Sequence, residues 1–136
     1  MKLFNLLIGF VLISTGCAKM EENLIDVPVN FSAPLTDPRL NRLNSIGGAV
    51  TIDGYGLAGL IIYRGTNGYV AFDRCSTVNP NQRCAIELDS PTITATDPCS
   101  GAKFLLSDGS PVKAPAVIGL KRYSVTIAGN NLIVTN

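Results

Sequence analysis

Imidazole chemistry is closed to this chain, because the sequence contains no histidine. Its four cysteines are Cys17, Cys75, Cys84 and Cys99, set beside ten acidic side chains. A thiolate can attack an electrophile, ligate a soft metal or join a second cysteine. The missing imidazole excludes a Ser-His-Asp triad, histidine general acid–base catalysis and histidine metal ligation together. Asp73, Glu87, Asp89, Asp97 and Asp108 read as turn or strand-end carboxylates, and no spacing sets two of them face to face. Gly54-Tyr55-Gly56 with Gly59 has the look of a phosphate loop, but no helix follows to complete it. Those glycines read instead as bulges or points of close strand approach. No catalytic residue and no metal site is expected, and the chain reads as a non-enzyme.

The cysteines divide by position. Cys17 follows a positive start (Met1-Lys2), an apolar run from Leu3 to Ile13 broken only by Asn5 and Gly9, and Ser14-Thr15-Gly16. That order is a secretory signal. The apolar run falls short of the roughly 20 residues a spanning helix needs. Small residues ending in Gly16 directly before the cysteine resemble a bacterial lipobox, although Ser14 stands where that pattern usually has Leu. The resemblance implies lipidation of Cys17 and anchoring to a membrane of the bacterial cell envelope. Ala18 lacks the retention signal of an Asp at that position and favours the outer membrane. The expected organisation is a signal peptide over 1–16, a lipidated tether over 17–26 and one domain over 27–136. Removing Lys2 leaves basic and acidic side chains in balance. A protein without a basic stripe is not expected to bind nucleic acid.

The remaining cysteines must be positioned by strands. Thirteen glycines, eight prolines and little helical periodicity point to an all-β domain. Val27 to Phe31 reads as an edge strand, and Pro38 to Asn44 as a helical turn capped by Asp37. Ala49 to Ile52 and Leu57 to Tyr63 are the next strands. Asn67-Gly68 predicts a hairpin joining Ile61–Arg64 to Tyr69–Phe72. Ala85 to Leu88 should pair with Thr92 to Thr96, Lys103 to Leu106 should follow, and Leu120 to Ala128 with Leu132 to Thr135 should close the domain as a second hairpin. Tyr55, Tyr63, Tyr69 and Tyr123 read as half-buried strand tyrosines.

Two loops of this series carry the sulfur. Phe72-Asp73-Arg74-Cys75-Ser76-Thr77 leaves a strand, and Asp97-Pro98-Cys99-Ser100-Gly101-Ala102-Lys103-Phe104 follows about twenty residues later. Leu106-Ser107-Asp108-Gly109, the proline loop Ala114-Pro115-Ala116 and the closing hairpin come next. From about Gly47 to Asn136 this order resembles the Rieske iron–sulfur domain. The resemblance implies an antiparallel β-sandwich of short strands with two apposed tip loops, and Phe104 in the core beneath the cluster position. A Rieske centre takes two Cys on one iron and two His on the other. Carried over residue by residue, those positions fall on Cys75, Thr77, Asp97 and Ser100, so three of four ligands are absent. No [2Fe-2S] cofactor is expected on this count.

Some Rieske domains also link the two loops by a disulfide, and the resemblance places that pair on Cys84 and Cys99. Cys75–Cys99 and Cys75–Cys84 are the competing pairings, and an unusual cluster of Cys75, Cys84, Cys99 and Asp97 is a further alternative. If Cys75 is left over, it is either a reactive thiol, activated by neighbouring Arg74, or a small buried hydrophobe. The expected function is a non-catalytic binding or structural module of the envelope, meeting another envelope protein through the tip loops. The alternative is an electron-transfer or thiol-redox protein using Cys75, a labile disulfide or an atypical iron–sulfur site.

Overall fold

The computed structural model describes residues 26–136; Cys17, the expected signal segment and nearly all of the expected tether lie outside the described residues. Among these residues ten strands form two antiparallel sheets. The first has the order β1-β10-β9-β4-β3-β2 and the second β5-β6-β7-β8. In the first sheet the strands are β1 (Asn30–Pro34), β2 (Ala49–Ile52), β3 (Leu60–Gly65), β4 (Gly68–Asp73), β9 (Arg122–Ala128) and β10 (Asn131–Thr135). The second holds β5 (Glu87–Leu88), β6 (Thr94–Thr96), β7 (Lys103–Leu105) and β8 (Pro111–Lys113). This is the all-β sandwich that the resemblance implies. Among the described residues no helix is long and apolar enough to cross a membrane.

The middle of the first sheet is buried on both faces, which explains the unbroken apolar run Leu60-Ile61-Ile62. Val50, Ile52, Leu60, Ile62 and Ala71 point to one core, closed by Phe31, Leu132, Val134 and, from the 3-10 turn Pro38–Asn44, Leu40 and Leu43. Ala49, Ile61 and Phe72 point the other way, against Ile86, Ala95, Phe104 and Leu106 of the second sheet. Alternate residues of one strand serve opposite faces, so a strand between two cores needs apolar residues at successive positions.

Several boundaries differ from the sequence expectation for identifiable reasons. β1 sits at the sheet edge as expected but starts at Asn30 rather than Val27. The Val29 amide donates to the Asn136 side chain at 2.9 Å, and backbone pairing begins at Asn30 opposite Thr135. β3 starts at Leu60 rather than Leu57, because the amides of Leu57 and Ala58 donate to the Asp73 carboxylate at 2.7 and 3.2 Å instead of to a ladder. The first hairpin turns over Thr66-Asn67, with Gly65 opposite Gly68. β8, on the proline side of the Asp108-Gly109 turn, carries no alternation that the sequence reveals.

Three loops gather at the end of the molecule where β4, β6 and β8 finish. The first runs from Arg74 to Ile86, the second from Asp97 to Ala102, and the proline loop from Ala114 to Lys121. The stems of the first loop pair with each other: the Ser76 amide donates to Cys84 O and the Ile86 amide to Arg74 O, at 2.9 and 2.8 Å. Cys75 stands opposite Ala85 in this short ladder.

Candidate functional site

The two tip loops meet through a carboxylate and a disulfide. Asp97 is fully buried. Its Oδ2 accepts the hydroxyls of Ser76 and Ser100, each at 2.6 Å, and its Oδ1 accepts the Cys99 amide at 2.8 Å. The amide contact is the Asx turn that Asp-Pro sequences favour. Ser76 comes from the first loop and Ser100 from the second, so one carboxylate ties them together. Burial pushes the Asp97 carboxyl up, but the donated hydrogen bonds from Ser100, Ser76 and Cys99 outweigh it and hold the group below its ordinary value. Cys84 and Cys99 form a disulfide across the same gap, with Cα atoms 6.4 Å apart. This is the pairing implied by the resemblance.

Cys75 is the free cysteine among the described residues and is buried. Its Sγ lies 3.6 Å from both Ser76 O and Pro80 O. Burial and the neighbouring Asp73 carboxylate push its thiol up. Arg74 does not activate it, because that guanidinium is engaged by Asp53 at 3.0 Å and Ile86 O at 3.1 Å. Cys75 therefore has the environment of a small buried hydrophobe. Thr77 donates to Ile118 O at 2.6 Å and fastens the proline loop to the first tip loop.

A second buried carboxylate, Asp73, supports this end of the sheet. It accepts the Leu57, Ala58 and Cys75 amides and the Tyr123 hydroxyl, the last at 2.7 Å. Burial, followed by the hydrogen bond to Asp73, drives the Tyr123 hydroxyl far above the ordinary tyrosine range. The reading of Asp73 and Asp97 as ordinary turn carboxylates is thus corrected: both are buried anchors. Tyr123 is likewise buried rather than half-buried, whereas Tyr55, Tyr63 and Tyr69 are partly exposed. Gly56 fits the expectation of close approach, since a Cβ there would stand 2.3 Å from Asp73 Oδ2 and 2.8 Å from the Tyr123 hydroxyl. Only an Asp-Pro turn and an unexplained glycine signalled these two anchors in the sequence.

A cleft of about 470 Å³ opens at the other end of the β3–β4 hairpin, lined by Tyr63, Asn67, Tyr69, Ser107 and Arg122 among others. None of the expected site residues lines it.

With this geometry in place, solved structures supply a comparison. No protein-family model and no curated protein sequence matches the chain. The plasma membrane Rieske protein PetC3 from the cyanobacterium Synechocystis PCC 6803 superposes with a TM-score of 0.56 at 22% identity, over 80% of this chain and 98% of that one. The fold is Rieske-like. The ferredoxin of carbazole 1,9a-dioxygenase from Nocardioides aromaticivorans IC177 gives 0.52 at 17% identity, over 80% of this chain and 97% of that one. A Sphingomonas yanoikuyae B1 ferredoxin gives 0.50 at 18%, over 70% of this chain and 93% of that one.

These neighbours correct the expectation that the Rieske-like domain takes no cofactor. Solved structures that share the fold include ferredoxins and a Rieske protein. Cys84, Asp97 and Cys99 remain as a partial cysteine–aspartate donor set, their ligand atoms within 4.8 Å of one another. What the geometry decides is narrower. Cys75, Thr77, Asp97 and Ser100 do not fit a two-cysteine, two-histidine centre: the thiol is buried among carbonyls, and the two hydroxyls are spent on Ile118 O and on Asp97.

Proposed function

We propose that this chain is an exported bacterial lipoprotein, held to the envelope through a lipid on Cys17, whose Rieske-like domain docks another envelope protein by its tip. The sequence around Gly16-Cys17 supports the anchor. The observation that carries the docking role is the apolar crown of the tip. Val117 is 83% exposed and Ile118 47% exposed, on the proline loop that Thr77 fastens to the first tip loop. Large apolar side chains held in water on a tethered loop favour a partner that presents an apolar socket. The Cys84–Cys99 bond and the Asp97 hydrogen bonds keep that loop cluster rigid, which lowers the ordering cost of association.

The test places a photo-crosslinking residue at position 117 in cells, with one at Ile127 as control. Five residues along an extended strand separate Arg122, at the tip end of β9, from Ile127 by roughly 17 Å. A discrete adduct from position 117 that is absent from 127, and that is lost on Ile118→Asp, is the expected result. Equal adducts from both positions, or none, overturn the docking role. For the anchor, Cys17→Ser should move the protein from the membrane to the soluble envelope fraction; retention on the membrane refutes it.

A second reading is electron transfer, favoured by the fold shared with ferredoxins. Iron analysis with visible and EPR spectra of anaerobically purified chain tests it. A stoichiometric cluster supports this reading, and iron-free protein without a cluster spectrum overturns it.

A further inference from the structure

The disulfide and the buried carboxylate beside it hold a second chemistry. We propose that reduction of Cys84–Cys99 turns the tip into a binding site for Zn²⁺, ligated by Cys84 Sγ, Cys99 Sγ and a carboxylate oxygen of Asp97. These residues are not the positions that correspond to Rieske cluster ligands, apart from Asp97, and the proposal does not depend on the docking role.

Geometry supports the donor set. A tetrahedral zinc holds thiolates at about 2.3 Å and a carboxylate oxygen at about 2.0–2.2 Å, which leaves its ligand atoms roughly 3.6–3.8 Å apart. The three candidate atoms already lie within 4.8 Å of one another. Once the bond is broken, side-chain rotation brings two thiolates to that spacing on Cα atoms 6.4 Å apart. Water takes the fourth position from the solvent side, because Cys99 is exposed while Cys84 and Asp97 are buried.

The neighbours of the donors are also arranged for a cation. Ser76 and Ser100 hydroxyls and the Cys99 amide orient the Asp97 carboxylate. Hydrogen bonds of that kind fix a ligating carboxylate and are part of metal sites in general. Two thiolates and one carboxylate select a thiophilic divalent ion over Mg²⁺ or Ca²⁺, which prefer all-oxygen sites.

The chemistry balances with a dithiol reductant. One thiolate of the reductant attacks exposed Cys99 Sγ, the Sγ–Sγ bond breaks, and Cys84 leaves as a thiolate. The second reductant thiol then attacks the mixed disulfide, releasing Cys99 as a thiolate and the reductant as its own disulfide. Two electrons pass from the dithiol to the two cysteines. Binding of Zn²⁺ releases whatever protons the two thiols carry. A disulfide oxidant closes the bond again by the reverse exchange, taking the two electrons and leaving as its own dithiolate, and the ion is expelled, so metal occupancy follows the thiol–disulfide state.

The experiment uses full-length protein in detergent, reduced anaerobically with a phosphine and desalted, then titrated with Co²⁺ and Zn²⁺ alone. One Co²⁺ per chain should bind with a thiolate-to-cobalt charge-transfer band that Zn²⁺ abolishes. The oxidised protein should show no band. Cys75→Ala should keep the band, Cys99→Ser should lose it, and Asp97→Asn should weaken binding about tenfold or more. Failure of the reduced protein to bind either ion overturns the proposal, as does a band that disappears with Cys75→Ala or is unmoved by Asp97→Asn. A readout without variants guards against misfolding: Zn²⁺ should slow alkylation of Cys84 and Cys99 in the reduced wild type, and unchanged alkylation of both also overturns it.

Discussion

Replacing Asp97 by Asn tests whether one buried carboxylate joins the two tip loops. The substitution keeps size and shape but removes the charge and one acceptor oxygen. Both serine hydroxyls now donate to Oδ2, while Ser76 Oγ accepts the Val78 amide and Ser100 Oγ the Ala102 amide. An asparagine Nδ2 at that position donates rather than accepts, so each serine keeps its amide contact but its hydroxyl hydrogen loses its acceptor. A hydrogen bond to a charged group contributes about 1.5–3 kcal/mol, and a neutral replacement recovers about 1 kcal/mol. Two such exchanges give a loss of about 1–4 kcal/mol near pH 7. Folded-state hydrogen bonds hold the Asp97 carboxyl below its unfolded value, so its stabilisation is present above the unfolded pKa of about 3.9. That stabilisation is lost as pH falls through the lower folded pKa. Chemical denaturation followed by circular dichroism should therefore show a large gap between wild type and Asp97→Asn at pH 7 that narrows below pH ~4. A gap under about 0.5 kcal/mol at pH 7, or one equally large in acid, would refute the reasoning.

The other anchors give sharper, simpler outcomes. Tyr123→Phe removes one of four hydrogen bonds to buried Asp73 and should cost about 1–3 kcal/mol in the same denaturation assay. Because the folded state holds the Tyr123 hydroxyl far above its ordinary value, its contribution is intact below the unfolded pKa of about 10 and is lost as pH rises beyond it. Wild type should thus lose stability in alkali faster than Tyr123→Phe. Gly56→Ala meets both the Asp73–Tyr123 contact and a left-handed backbone (φ +61°), and should destabilise by more than about 2 kcal/mol; a neutral result would show that the loop can move away. Serine at both Cys84 and Cys99 should cost about 3 kcal/mol, the chain-entropy value for a closed loop of about 16 residues, read as a lowered denaturation midpoint. Cys75 should resist alkylation in native protein and react only at the rate of global unfolding, because it is buried and its thiol is held protonated.

The succession of strands along the chain and the hairpins were legible because they rest on local rules, whereas the pairing of β1 with β10 and of β4 with β9 was not. Asn67-Gly68 and Gly129-Asn130-Asn131 declare turns, and the apolar segments between them are of strand length. The order of the tip loops, the proline loop and the closing hairpin was enough to name a Rieske-like fold. Local rules were weaker at Leu57 and Ala58, whose apolar side chains read as strand although their amides serve the Asp73 side chain, sixteen and fifteen residues away. They were silent on β8, which pairs with β7 through Lys113 and Pro111 across a register shift and shows no alternation.

By itself, the sequence determined what this protein's chemistry is made from. The absence of histidine, the signal-like start before Cys17 and the sulfur at positions 75, 84 and 99 are facts of composition and order. Only the tertiary structure decided which sulfur does what. Cys75 and Cys84 differ little in local sequence, yet one is sealed under the first loop while the other reaches Cys99. The same holds for the acids: Asp97 and Asp108 both read as turn carboxylates, but only Asp97 is buried where two loops converge. Burial and long-range apposition depend on how distant strands pack. A charge or a thiol changes its character with the water removed around it and the donors aimed at it, and neither is written in its neighbours along the chain.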